Sequence, residues 1–184
     1  MGHGLSRSRL ALCVVGLATA CTSDSGRITG ARPSAMAPIS RDANPVLQSV
    51  TGHWEVIGRS GNLNKISVTA LKRLDGTVSG EVEFERFGTH GDSVRAHGTV
   101  ICLTVDGNTA RIGAMGNKPD PNGVTQFGFL TAVDNGEGKQ APPDQGSNLV
   151  APVSEERARL HCEMPPITPP IFNSLRGDIQ VRSY

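Results

Sequence analysis

The chain has 184 residues, with 18 basic against 17 acidic side chains and a formal net charge of +1. That balance leaves no basic stripe to meet nucleic acid and no polybasic segment for anionic lipid. Glycine is abundant (22 residues) and aromatics are scarce (five Phe, one Trp, one Tyr), the composition of short strands joined by tight turns rather than of helices.

At the start, Arg7 and Arg9 precede an apolar run from Leu10 to Ala20, and Cys21 follows Ala18-Thr19-Ala20. A short basic segment, an apolar stretch and a small-x-small ending describe a bacterial export signal over 1–20. The run is too short for a membrane span, which needs roughly 20 apolar residues. The cysteine after the cleavage signature resembles the acylated first residue of a lipoprotein. A lipoprotein box more usually carries Leu where Ala18 stands, and Ala18-Thr19-Ala20 also fits ordinary secretory cleavage. The expectation is an exported protein anchored to the membrane through lipid on Cys21, on the periplasmic or extracellular side, and otherwise secreted. Loss of Arg7 and Arg9 with the signal leaves a nearly neutral mature chain.

Cysteine usage agrees. Cys13 leaves with the signal and Cys21 takes lipid, so Cys102 and Cys162 remain as a pair in an oxidising compartment, where a disulfide is expected. Closing a loop of about 60 residues stabilises a domain by roughly 4 kcal/mol in the chain-entropy picture. Neither cysteine sits in zinc-ligand spacing.

Residues 21–47 carry Ser, Gly, Ala, Arg and Pro without apolar periodicity and read as a flexible tether. The folded domain is expected over 48–184. Val50, Gly52, Trp54 and Val56 alternate with Thr51, His53 and Glu55 in a first strand, and Ile66, Val68 and Ala70 share one face of a second. Asp75-Gly76 marks a hairpin turn. Val78, Gly80, Val82 and Phe84 then alternate with Ser79, Glu81, Glu83 and Glu85, the pattern of a sheet with one wet face. The run Val94 to Val105 contains Val100-Ile101-Cys102-Leu103, apolar on both faces, which places it centrally. Asp106-Gly107-Asn108 turns into a strand from Thr109 to Ala114. Lys118 to Gly123 is a loop, and Phe127, Phe129, Thr131 and Val133 form the next strand.

A long polar connection from Asp134 to Asn148 follows, a length that is usually functional or unstructured. Leu149 to Val153 suits a short edge strand. Ser154 to Leu160 either forms one or two helical turns with Ser154 as N-cap or simply extends. Pro165-Pro166 and Pro169-Pro170 break regular structure, and Ile179 and Val181 belong to a closing strand. The expected fold is all-β, a single antiparallel sandwich or small barrel of about seven to nine strands.

Motifs for nucleophile elbows, phosphate loops, paired Cys-x-x-Cys or His-Glu-x-x-His are missing. His90, Asp92 and His97 lie near one another, but their spacing matches no common metal site. Asp134, Asn135, Glu137 and Asp144 put three carboxylates and an amide oxygen on one glycine-rich segment, which makes calcium the candidate cofactor there. Asp-Asn-Gly is equally ordinary turn chemistry, and the EF-hand spacing is absent. Gly52-His53-Trp54 resembles the Gly-x-Trp of lipocalins, whose Thr-Asp-Tyr segment is missing here. A lipocalin-like carrier of a small apolar ligand would need a cavity lined by Val82, Phe84, Phe127 and Phe129.

A longer likeness covers about two-thirds of the mature chain. His97-Gly98-Thr99-Val100-Ile101-Cys102-Leu103-Thr104-Val105, Gly107-Asn108-Thr109-Ala110-Arg111-Ile112-Gly113, Val133-Asp134-Asn135-Gly136-Glu137-Gly138, Pro142-Pro143-Asp144 and the closing Gly177-Asp178-Ile179-Gln180-Val181 together resemble a family of exported bacterial β domains. That resemblance implies an exported, secreted or lipid-anchored all-β protein and brings no catalytic residues. The proline-rich insert between Asn117 and Phe127 is this chain's own. The expected role is therefore a non-enzymatic envelope module, structural or binding, whose protein or small-molecule partner the sequence does not name.

Overall fold

The computed structural model describes residues 44–89, 91–138, 140–164 and 169–184. The expected signal over 1–20, Cys21 and the tether up to residue 43 lie outside the described residues, as does His90. Ten strands and one helix follow in chain order: β1 (Val46–Ile57), β2 (Leu63–Arg73), β3 (Val78–Phe87), β4 (Ser93–Asp106), β5 (Thr109–Gly116), β6 (Phe127–Val133), β7 (Gln145–Ser147), β8 (Val150–Val153), α1 (Glu155–Glu163), β9 (Ile171–Asn173) and β10 (Arg176–Ser183).

All strand pairings are antiparallel, in the spatial order β10-β1-β2-β3-β4-β5-β6-β7-β9, with β8 also laid on β6. This sheet curls into a half-barrel, so the all-β expectation holds. Hairpin chemistry sets the register. Gly76 adopts φ +85°, and Asp75 accepts the Thr77 N–H and hydroxyl at 2.8 and 2.7 Å, which holds its carboxyl below the usual carboxylate range. Gly107 supplies φ +57° at the β4–β5 turn.

The concave face carries Val50, Trp54, Val56, Ile66, Val68, Ala70, Val82, Val100, Leu103, Ile112, Leu130 and Ile179, all buried in one cluster. Val100 and Leu103 both join it although they are three residues apart. A register shift between Val100 and Cys102 opposite β5 supplies the extra residue that restores the inward phase. The opposite face of β1 to β4 is wet. It bears a ladder of alternating charge, Arg176, Glu55, Lys65, Glu85 and Arg95 on successive strands, with Lys65–Glu55 and Arg95–Glu85 each at 3.2 Å.

Over β4 to β6 the outer face is covered by α1. Ser154 caps the helix, its Oγ accepting the Arg157 N–H at 3.2 Å. Ala158, His161 and Cys162 are the buried positions of the helix, and the Cys102–Cys162 disulfide bonds it to β4 with a Cα separation of 6.2 Å. The approach depends on Gly113. A Cβ there would lie 2.6 Å from Cys102 Sγ and 2.7 Å from the Ala158 carbonyl oxygen. Among the described residues, no helix is long and apolar enough to cross a membrane.

Candidate functional site

The acidic segment folds as a clasp. Asp144 Oδ1 accepts the Asn135 N–H and Oδ2 accepts the Ile179 N–H, each at 2.8 Å. Asp134 Oδ1 accepts the Gly136 N–H at 2.8 Å, and Oδ2 accepts the Val181 N–H at 3.0 Å. Asn135 donates its side-chain amide to the Pro143 carbonyl, and exposed Glu137 accepts from the Gln180 amide at 3.5 Å. Ile179 and Val181 lie on β10, one edge of the sheet. Two carboxylates from the β6–β7 connection thus serve as acceptors for amides that no neighbouring strand receives. Among the described residues no group of three or more His, Cys, Asp or Glu is arranged to hold a metal ion. The four calcium candidates share one segment, but the oxygens of Asp134 and Asp144 are turned to the backbone.

The histidines are dispersed. His53 and His97 are exposed on the wet face, His97 Nδ1 lying 3.3 Å from Glu83. His161, on the buried side of α1, is 6% exposed and stacks on Phe129 with ring centroids 4.4 Å apart. Its Nε2 lies 3.1 Å from the Leu130 carbonyl and 3.1 Å from Thr131 Oγ1. A carbonyl only accepts, so Nε2 carries the proton. Burial pushes the imidazole down to about 4, opposed by the Leu130 bond and aided by the Arg111 charge.

Trp54 of the Gly52-His53-Trp54 motif is fully buried and donates Nε1–H to the Ser147 carbonyl at 3.2 Å. Its indole lies flat on β7, where a Cβ at Gly146 would come within 2.2 Å of Nε1. Ser147 Oγ in turn accepts the Thr131 N–H at 2.8 Å and donates to the Asn148 carbonyl at 3.0 Å.

These contacts close one side of a cleft at the rim of the half-barrel. Gly58, Arg59 and Ser60 enter it from the β1–β2 turn, Asn64 from β2, and Phe84 and Arg86 from β3. Asn148, Leu149 and Phe172 complete the wall, with Pro169 and Pro170 at the edge, around about 400 Å³. Asn64 Nδ2 reaches Asn148 Oδ1 at 2.9 Å, fixing one amide on the other across the rim. Gly58 leaves room for this pair; its Cβ would lie 2.8 Å from Asn64 Nδ2. Neither Arg59 nor Arg86 has an ion-pair partner among the described residues. Asn64 is 4% exposed, yet its Oδ1 lacks a hydrogen-bond partner, and so does the buried Nε of Arg86.

Behind this cleft, sharing Phe84 and Leu149 as walls, lies an apolar recess of about 80 Å³ lined also by Val82 and Phe127. The expected interior cavity is thus only partly assembled. Val82, Phe84 and Phe127 border the recess, whereas Phe129 lies outside it and stacks on His161. Arg59 and Arg86 were not legible as site residues, because isolated arginines in strand and turn sequence have no motif. What joins them is the register of β2 on β3 and the passage of the β7–β8 link past both.

Compared with known proteins, the chain matches no family model, no curated protein and no solved structure.

Proposed function

We propose that this is an exported, non-enzymatic β module of the bacterial envelope, held to the membrane by lipid on Cys21, which binds a small ligand at the rim cleft. The observation that carries the binding role is the cleft itself. Two guanidinium groups without carboxylate partners among the described residues, Arg59 and Arg86, line it together with Phe84, Leu149 and Phe172. Guanidinium groups beside an apolar wall suit a small ligand that carries an anionic group and a hydrocarbon part. The cleft volume lies in the range of small-molecule sites, roughly 300–1,000 Å³.

The envelope location draws on the signal-like start, the Cys102–Cys162 disulfide and the likeness of the 97–144 segment to exported β domains. A lipocalin-like carrier with its ligand inside the sheet is the second reading, and the apolar recess beside Val82 and Phe84 favours it. At about 80 Å³ that recess is several-fold smaller than a ligand pocket, which gives the rim cleft precedence.

Fractionation of cells expressing the full chain tests the anchor. The wild type is expected with the membranes, its processed N-terminus carrying lipid mass. Cys21→Ser is expected in the soluble exported fraction. A wild-type chain recovered soluble and without lipid mass would refute the anchor.

A further inference from the structure

Resting on the cleft reading above, we infer that the ligand is a medium-chain alkanoate, its carboxylate at the arginine end of the cleft and its tail in the apolar recess. Residues two apart on a strand share a face, so Arg86, Phe84 and Val82 form a row along β3. Arg86 lines the cleft, Phe84 lines both cavities and Val82 lines the recess. The strand rise sets Val82 about 13 Å from Arg86, the length of such a chain. The cross-strand partners of this row on β4 are Val94, Ala96 and Gly98, which shrink in the same direction.

Charge divides the two ends. No residue lining the cleft is acidic, and Arg59 and Arg86 have no ion-pair partner among the described residues. No Lys, Arg, Asp or Glu lines the recess, whose room comes from Ala96, Gly98, Ala114, Gly116, Gly128 and Ala151. Leu149 lines both cavities, as Phe84 does, so the two share hydrocarbon walls. At about 80 Å³ the recess suits the end of one chain rather than a ring system or a second chain. A carboxylate at the guanidinium end and methylenes beyond Phe84 thus each meet matching chemistry.

The test is calorimetric titration of the full chain carrying Cys21→Ser with hexanoate, octanoate, decanoate and 1-decanol, with amide chemical shifts followed in parallel. Affinity is expected to rise about fourfold with each methylene from hexanoate to decanoate, as for burial of a CH₂ group. Decanoate is expected to shift the amides of Ala96 and Gly98, which hexanoate leaves in place. Ala96→Leu, at an exposed position, fills the recess and is expected to remove most of the gain for decanoate while hexanoate binds as before. Arg59→Ala, also exposed, is expected to weaken all three acids about tenfold with an unchanged thermal midpoint. Decanoate binding to Ala96→Leu as tightly as to the parent would place the tail elsewhere and overturn the proposal while the cleft stands. Decanol matching decanoate would overturn it through the anion. Failure of all four compounds at millimolar concentration would remove the cleft reading as well.

Discussion

Asp144 Oδ2 accepts the backbone N–H of Ile179 at 2.8 Å, with both residues buried, so a side chain holds the edge of the sheet where a strand would otherwise be needed. The other oxygen of Asp144 holds Asn135 in the same connection. Asp144→Ala leaves two backbone donors without their acceptor and is expected to destabilise the domain by about 3 kcal/mol. Asp144→Asn keeps one accepting oxygen and is expected to cost about half as much. Chemical denaturation of both variants checks the ranking, which fails if Ala and Asn are equivalent.

The same geometry bears on calcium. With the oxygens of Asp134 and Asp144 turned to backbone amides and Glu137 exposed, the described residues of the segment do not gather the six to eight converging oxygens that calcium takes. The thermal midpoint is expected to be the same in millimolar calcium and in chelator. A rise of several degrees with calcium, abolished in Asp134→Ala, would show that the clasp opens to bind the ion.

Gly146→Ala drives a methyl group into the Trp54 indole, and neither β7 nor the buried ring has space to yield. A loss of about 3 kcal/mol is expected, at the upper end of overpacking costs. Trp54 is the only tryptophan in the chain, so its fluorescence reports the event directly. A variant as stable as wild type with an unshifted emission maximum would contradict this packing.

His161 makes stability depend on pH. Its folded value, about 4, lies below the ordinary 6.5, so the unfolded chain binds the proton more readily. The contribution is complete above pH 6.5 and is lost as pH falls toward 4. After allowance for solvent screening it amounts to roughly 2 kcal/mol. His161→Phe preserves a ring against Phe129 and should flatten the stability profile in this window. Parallel profiles for the two proteins would exclude the histidine as the source.

Reduction of the Cys102–Cys162 bridge, or Cys102→Ala with Cys162→Ala, is expected to lower stability by roughly 4 kcal/mol, since the bond closes a loop spanning 60 positions. Urea denaturation with and without reductant measures it directly. A difference under about 1 kcal/mol would mean that α1 is held by packing alone.

The long hairpins were legible because one of their faces is wet. Strict alternation from Val78 to Glu85 and the Asp-Gly turns gave β3 and its neighbours, while Ser154 as an N-cap was one of two readings, the helical one being what forms. Where both faces are covered, periodicity loses its meaning. Phe127 and Phe129 do share a face of β6, but it is not the core face: Leu130 and Ala132 point into the core, and Phe129 lies against His161 of the helix. The three-residue strands β7 and β9 were hidden, because Gln145-Gly146-Ser147 is too short and too polar to show a pattern. Their positions come from Trp54, 93 residues before Ser147 in sequence, which accounts for the rim cleft being equally hidden.

The pairing of β1 with β10 ties the first strand of the domain to the last. Until the final residues arrive, Gly52 and Val50 lack their partners Ile179 and Val181, and the clasp at Asp134 and Asp144 has nothing to grip. Contacts of such long sequence separation form late and slowly. The consecutive hairpins β1 to β6 can pair without β10, so the closing of β1 on β10 is the step that joins the two ends of the domain.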